Sequence, residues 1–108
     1  MNTNQVSTAL GALSDPTRRA IFERLVGGPS AVGDLANAFP VSRPAVSQHL
    51  RVLKRAGLVT DRAEGTRRVY QVHPPALDAI RAYFDKFWST SLMSFKQAAE
   101  GRSRKTHG

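Results

Sequence analysis

Apolar residues recur at helical spacing through residues 41–59. Val46, Leu50 and Leu53 stand at i, i+4 and i+7 and make one buried stripe. Arg43, Pro44, Ser47, Gln48, Arg51, Lys54 and Arg55 lie elsewhere on the wheel. Ser42 supplies an N-cap and Gly57 a stop, so the pattern predicts a helix from Arg43 to Ala56. Upstream, Val6, Leu10 and Leu13 share one side of a short helix over Asn4 to Leu13. Ser14-Asp15-Pro16 then breaks the chain and starts a second helix, with Asp15 as cap and Pro16 at the first helical position, where its missing N–H costs nothing. That helix runs to about Val26 on Ile21, Phe22 and Leu25, and Gly27-Gly28-Pro29 ends it. Ser30 is expected to cap a third helix through Ala38, with Val32, Leu35 and Ala36 inward. Phe39-Pro40-Val41 is a tight turn, so helices three and four form a helix-turn-helix.

Past Gly57 the pattern changes. Val59–Glu64 and Arg67–Val72 read as two strands joined by Gly65-Thr66, with Val69, Tyr70 and Val72 favouring strand. Pro74-Pro75 ends the hairpin, and a long helix is expected from about Pro75 to Ala99. The segment 101–108 has no apolar residue and is expected to be a disordered basic tail. The order of elements predicts a mainly α (α+β) fold: a winged helix-turn-helix with a two-stranded hairpin wing and a long C-terminal dimerisation helix. Residues 1–100 form one domain, with no repeat and no linker long enough to divide it.

Charge sharpens this picture. The 108 residues carry a formal net charge of +8, which favours a polyanionic partner. The distribution says more: residues 42–72 hold seven Arg or Lys against two acids, and residues 42–58 hold four cations and no acid. A short helix with an apolar back and a cationic front fits the major groove of double-stranded DNA. Gln pairs with adenine edges and Arg with guanine edges, so Ser47, Gln48 and Arg51 are candidate readers. His49 lies beside the apolar stripe and is expected to be partly buried rather than a reader or metal ligand. Arg62 and Arg67 are expected to hold the phosphate backbone from the wing. Arg68 shares strand parity with Tyr70 and Val72 and is placed behind them in rank. The last helix carries Leu77, Ile80, Phe84, Phe87, Trp88, Leu92 and Phe95, more aromatic surface than the edge of a small monomer needs. A two-fold homodimer is the simplest cover, with Leu10 of the first helix joining it.

Three stretches together resemble the ArsR-type (arsenical-repressor-like) winged-helix transcriptional repressors. They are Leu13-Ser-Asp-Pro-Thr-Arg-Arg-Ala-Ile21, Ser42 to Leu53 with Ala56-Gly-Leu-Val59, and Gly65-Thr-Arg-Arg-Val-Tyr70. The resemblance covers roughly residues 6–100. It implies a homodimer on palindromic operator DNA, contacted through Arg43, Pro44, Ser47 and Gln48 and through the wing. It also implies that the first and last helices form the dimer. The chain departs from metal-sensing members, whose third helix carries a cysteine-containing box. Here Val32 to Phe39 has no thiol, and Asp78 has no histidine companion between Pro74 and Glu100. The resemblance is therefore to the metal-independent subgroup, and neither metal nor cofactor is expected.

The absence of cysteine removes disulfides, thiolate metal sites and cysteine nucleophiles. No Gly-rich phosphate loop and no Ser-His-Asp set appears, so no enzyme is expected. No apolar run approaches the ~20 residues of a membrane span, and the N-terminus has no signal-type segment. The expected protein is a cytoplasmic, nucleoid-associated repressor, with its own promoter a candidate target and no small-molecule effector assigned. The rival reading is a winged-helix module for protein or RNA interaction. The cationic, acid-free fourth helix favours nucleic acid over protein, and its lack of aromatics disfavours stacking on single-stranded RNA.

Overall fold

Three of the helices begin at a residue whose side chain accepts an orphan backbone N–H. In the computed structural model, which describes the backbone of residues 1–107 and side chains through Gly101, α1 spans Thr3–Ala12 behind a capping box. The Asn2 side chain accepts from the Gln5 amide at 2.9 Å, and Gln5 Oε1 accepts from the Asn2 amide at 2.7 Å. Helix α2, Pro16–Val26, starts at Asp15, whose carboxylate accepts from the Arg18 amide at 2.8 Å. Helix α4, Arg43–Arg55, starts at Ser42, whose Oγ accepts from the Ala45 amide at 3.2 Å. Its far end is a Schellman motif: the Gly57 amide donates to the Lys54 carbonyl and the Leu58 amide to Leu53, both at 3.0 Å. Gly57 has φ +79°, the left-handed conformation this closure requires. Leu53 and Leu58 are both fully buried, which supplies the apolar contact that completes the motif.

The third helix corrects one sequence expectation. Helix α3 runs Val32–Ala38, but its N-cap is Ala31, with no side-chain cap hydrogen bond. Ser30 does not cap it. Ser30–Ala31 instead forms a short strand, β1, paired antiparallel with β3 (Arg67–Val72) as Ser30↔Tyr70 and Ala31↔Val69. Strand β2, Val59–Glu64, pairs with the other edge of β3 from Val59↔Val72 to Glu64↔Arg67. The expected two-stranded wing is present, and β1 makes the sheet three-stranded in the order β1-β3-β2. Gly65, at φ +64°, turns the hairpin in two residues, as the first central position of a type II′ turn requires.

Val46, Leu50 and Leu53 of α4 are completely buried against Ile21 and Leu25 of α2, Leu35 of α3, and Leu58 and Val59. This core fixes the rotation of α4 and so decides which side chains face out. In α1 the buried positions are Val6, Ala9 and Ala12, while Leu10 and Leu13 are half-buried. The inward face is thus turned by one position from the expected Val6, Leu10, Leu13 stripe, because α1 packs small residues against α4 and α5.

Helix α5 runs Pro74–His107, past the expected end at Ala99. The expected basic tail at 101–108 falls, beyond Gly101, outside the residues whose side chains are described. A 34-residue helix is ~51 Å long, and only its first turns, at Ala76 and Ile80, reach the core. The radius of gyration is 19.8 Å, against about 13 Å for a compact domain of this length. Most of α5 therefore stands clear of the body.

Candidate nucleic-acid interface

The N-terminal turns of α4 are presented outward because its other face is locked in the core. Ser42, Arg43, Pro44, Gln48 and Arg51 are exposed and Ser47 is half-buried. Arg51 Nη1 donates to Gln48 Oε1 at 3.2 Å, which leaves the Gln48 amide nitrogen free to donate. The Arg43 guanidinium lies over Gly33 of α3, where a Cβ would stand 3.9 Å from Nη1. The helix N-terminus adds a partial positive charge at the same end.

A cleft of about 630 Å³ separates α4 and α3 from the wing. Four arginines line it: Arg43 and Arg51 from α4, Arg67 and Arg68 from the wing. Ser47, Asn37 and Thr66 add neutral polar groups, and Asp34 is its one lining acid among the described residues. Asp34 forms an ion pair with Arg67, both side chains being more than half exposed. Such a pair contributes little to stability and opens readily for a better anion.

Of the expected contact residues, the structure therefore brings Arg43, Ser47, Arg51 and Arg67 into one cleft, with Ser42, Pro44 and Gln48 exposed on the same helix end. Arg62 is not among them. It sits opposite Val69 in the hairpin register and donates to Gln71 Oε1 at 2.8 Å, with Glu64 at 3.4 Å. Arg68, which sequence parity ranked behind it, points into the cleft. The parity was correct: Arg68 shares a strand face with Tyr70 and Val72. That face packs on the core only as far as Tyr70, and at the tip it opens toward α4.

Behind the cleft, Asp61 joins the wing to α4. Lys54 Nζ lies 2.7 Å from Asp61 Oδ1, and Arg68 Nη1 lies 3.6 Å from Asp61 Oδ2. The Asp61 side chain is 12% exposed. His49 is half-buried, with Nδ1 4.0 Å from the Asp15 carboxylate, and is absent from the cleft lining. The Arg18 amide, with the positive field of His49 and Arg18 adding to it, holds the Asp15 carboxyl below the usual carboxylate value against a smaller opposing effect of desolvation.

The second expected surface is on α5. Phe87 and Trp88 are each 65% exposed and Phe95 is 75% exposed. Leu77, Phe84 and Leu92 extend the same stripe, and the Tyr83 and Phe84 rings meet edge to face at 5.6 Å. Ile80 differs: it is half-buried against the chain's own core, and Leu10 is half-buried on α1. No described helix is long and apolar enough to cross a membrane. Among the described residues no three His, Asp or Glu side chains group as metal ligands.

Comparison with known proteins agrees with this geometry. The model of a helix-turn-helix domain family matches residues 13–62. HTH-type transcriptional regulator Rv2034 of Mycobacterium tuberculosis is 57% identical over 95 residues, 88% of this chain and 89% of that protein. An arsenical resistance operon repressor of Staphylococcus xylosus is 36% identical over 85 residues, 79% of this chain and 82% of that protein. A homodimeric winged helix-turn-helix DNA-binding domain from Mycobacterium bovis, described as a possible ArsR-family regulator, superposes with a TM-score of 0.63. It is 31% identical and covers 82% of this chain and 79% of that one. This chain belongs to the ArsR-type winged helix-turn-helix transcriptional repressors, DNA-binding regulators rather than enzymes.

Proposed function

We propose that the protein is a homodimer that represses transcription by binding a palindromic operator, its own promoter among the targets. Each α4 enters a major groove, with half-sites about one helical turn, ~10 bp, apart. Ser42, Arg43, Pro44, Ser47, Gln48 and Arg51 face base edges and adjacent phosphates. Arg67 and Arg68 hold the backbone across the cleft, and Arg62 meets phosphate only where the wing lies flat along the duplex. The observation that carries the reading is the cleft itself, where four arginines stand beside the outward end of a helix whose other face is fixed in the core. The exposed α5 stripe supports a second copy as partner, and the homodimeric relative supports the same arrangement. The protein works at the cytoplasmic nucleoid, and no metal is part of this reading, since the cysteine-containing box of the metal-sensing members has no counterpart in Val32 to Phe39.

Footprinting on the DNA upstream of its own gene tests this reading. The expected result is protection of an inverted repeat, unchanged by Zn(II), Ni(II) or Cd(II). Protection of a single half-site would contradict the dimer, metal-released protection would contradict metal independence, and no protection would remove autorepression. A salt-dependent shift with RNA but not duplex DNA would favour the rival module.

A further inference from the structure

The geometry points to Asp61 as a positioning residue for sequence-specific binding: by holding Lys54 of α4 and Arg68 of the wing on one carboxylate, it fixes the Arg68 guanidinium in the cleft opposite the reading end of α4. This rests on the reading above of α4 and the wing as the DNA-binding elements.

The two acids near the cleft differ in kind. Asp34 is exposed and meets one cation, Arg67, at the wing tip. Asp61 is 12% exposed and meets two cations from different elements, one through each oxygen. A carboxylate so enclosed is costly to leave unpaired, so its partners are held rather than merely attracted. Arg68 and Lys54 are each more than half exposed, and nothing else among the described side chains holds either one. Without Asp61, two cations would face each other with no anion between them, and Arg68 would swing toward solvent.

Fixing one cation matters only for specific binding. Non-specific affinity follows the number of phosphates neutralised and tolerates a mobile arginine. A specific complex has one register, and phosphate contacts set it. Asp61→Asn and Asp34→Asn should therefore behave differently, although each removes one negative charge beside an arginine of the cleft.

The test measures affinity for two duplexes: the tightest one recovered from a random-sequence pool by the wild-type protein, and a scrambled duplex of equal length and composition. Asp34→Asn is expected to tighten both together. Asp61→Asn is expected to weaken the selected duplex about tenfold while the scrambled one holds or tightens. Arg68→Ala, at an exposed position that leaves the core intact, should lower the specificity ratio likewise. Asp61→Asn added to Arg68→Ala should then lower it no further. Parallel tightening of both duplexes by Asp61→Asn would overturn the inference, and so would a full further loss in the double variant. If Asp61→Asn fails to fold, an unchanged ratio in Arg68→Ala overturns it alone. A wild-type protein that shows no preference for any duplex would instead overturn the reading of α4 and the wing.

Discussion

Truncating Trp88 should dissociate the dimer without unfolding the helix that carries it. The side chain is 65% exposed in the single chain. For an aromatic side chain of about 150–250 Å², that leaves roughly 100–160 Å² for a partner to cover. At about 25 cal/mol per Å², full cover is worth ~2.5–4 kcal/mol for each copy. Part of this area stays wet at any interface, and alanine keeps its Cβ, so the truncation should cost about 2 kcal/mol per copy. Two-fold symmetry counts the loss twice, giving ~4 kcal/mol per dimer, or about a thousandfold in Kd. The body of the chain loses nothing comparable, because the core reaches α5 only at Ala76 and Ile80. Sedimentation equilibrium across a wide concentration range measures the effect directly. The expected outcome is a dimer for the wild type and a largely monomeric Trp88→Ala variant at micromolar concentration, with helical circular dichroism retained. A variant that stays dimeric at the wild-type Kd would refute the α5 stripe as the interface. So would a wild type that is monomeric throughout.

Gly57→Ala forces a Cβ into the left-handed turn that closes α4, and should cost about 1–2 kcal/mol; differential scanning calorimetry should show a melting temperature lower by roughly 4–8 °C per kcal/mol. The Met1 methyl that such a Cβ would approach at 2.9 Å is the end of a flexible side chain and adds little. Arg67→Ala should weaken binding to all duplexes alike and reduce the slope of log affinity against log salt by about 0.9 for each phosphate it no longer neutralises; an unchanged slope would remove Arg67 from the wing's hold on the backbone. Asp15 should make folding pH-dependent in one direction. Its folded-state carboxyl titrates below the usual 3.8, so its stabilisation is fully present above that value and is lost as pH falls through the lower folded value. The melting-temperature gap between wild type and Asp15→Ala should hold at neutral pH and close in that acid window; a gap that widens with acid would show the sign to be wrong.

The helices were legible where a local signal ends or starts them. Asp15-Pro16, Ser42 and Gly57 act within one turn of the chain, and each does in the structure what its chemistry dictates. The hairpin bounds were legible too, because strand propensity and a glycine turn are also local. Strand β1 was not. Two residues become a strand only because Val69 and Tyr70, nearly forty positions away, offer them an edge. The face of α1 depended on α4 and α5 in the same way, so the sequence pattern chose Leu10 where packing chose Ala9. In the candidate interface, α4 was readable because burial of Val46, Leu50 and Leu53 leaves only one face outward. The wing was half readable. Alternation separated Arg68 from Arg62 and Arg67, but only the tertiary placement of β3 against α4 says that the inner face becomes the cleft face beyond Tyr70.

Everything turns on whether the outward end of α4 reads bases. Gln48 is the sharpest probe, since it is exposed, buttressed by Arg51 and suited to an adenine edge. Binding selection from a random duplex pool, run in parallel on wild type and Gln48→Ala, measures base preference position by position. The expected result is loss of preference at one position in each half-site, costing about 1–3 kcal/mol on the selected duplex and almost nothing on random DNA. Equal loss on both would contradict the account.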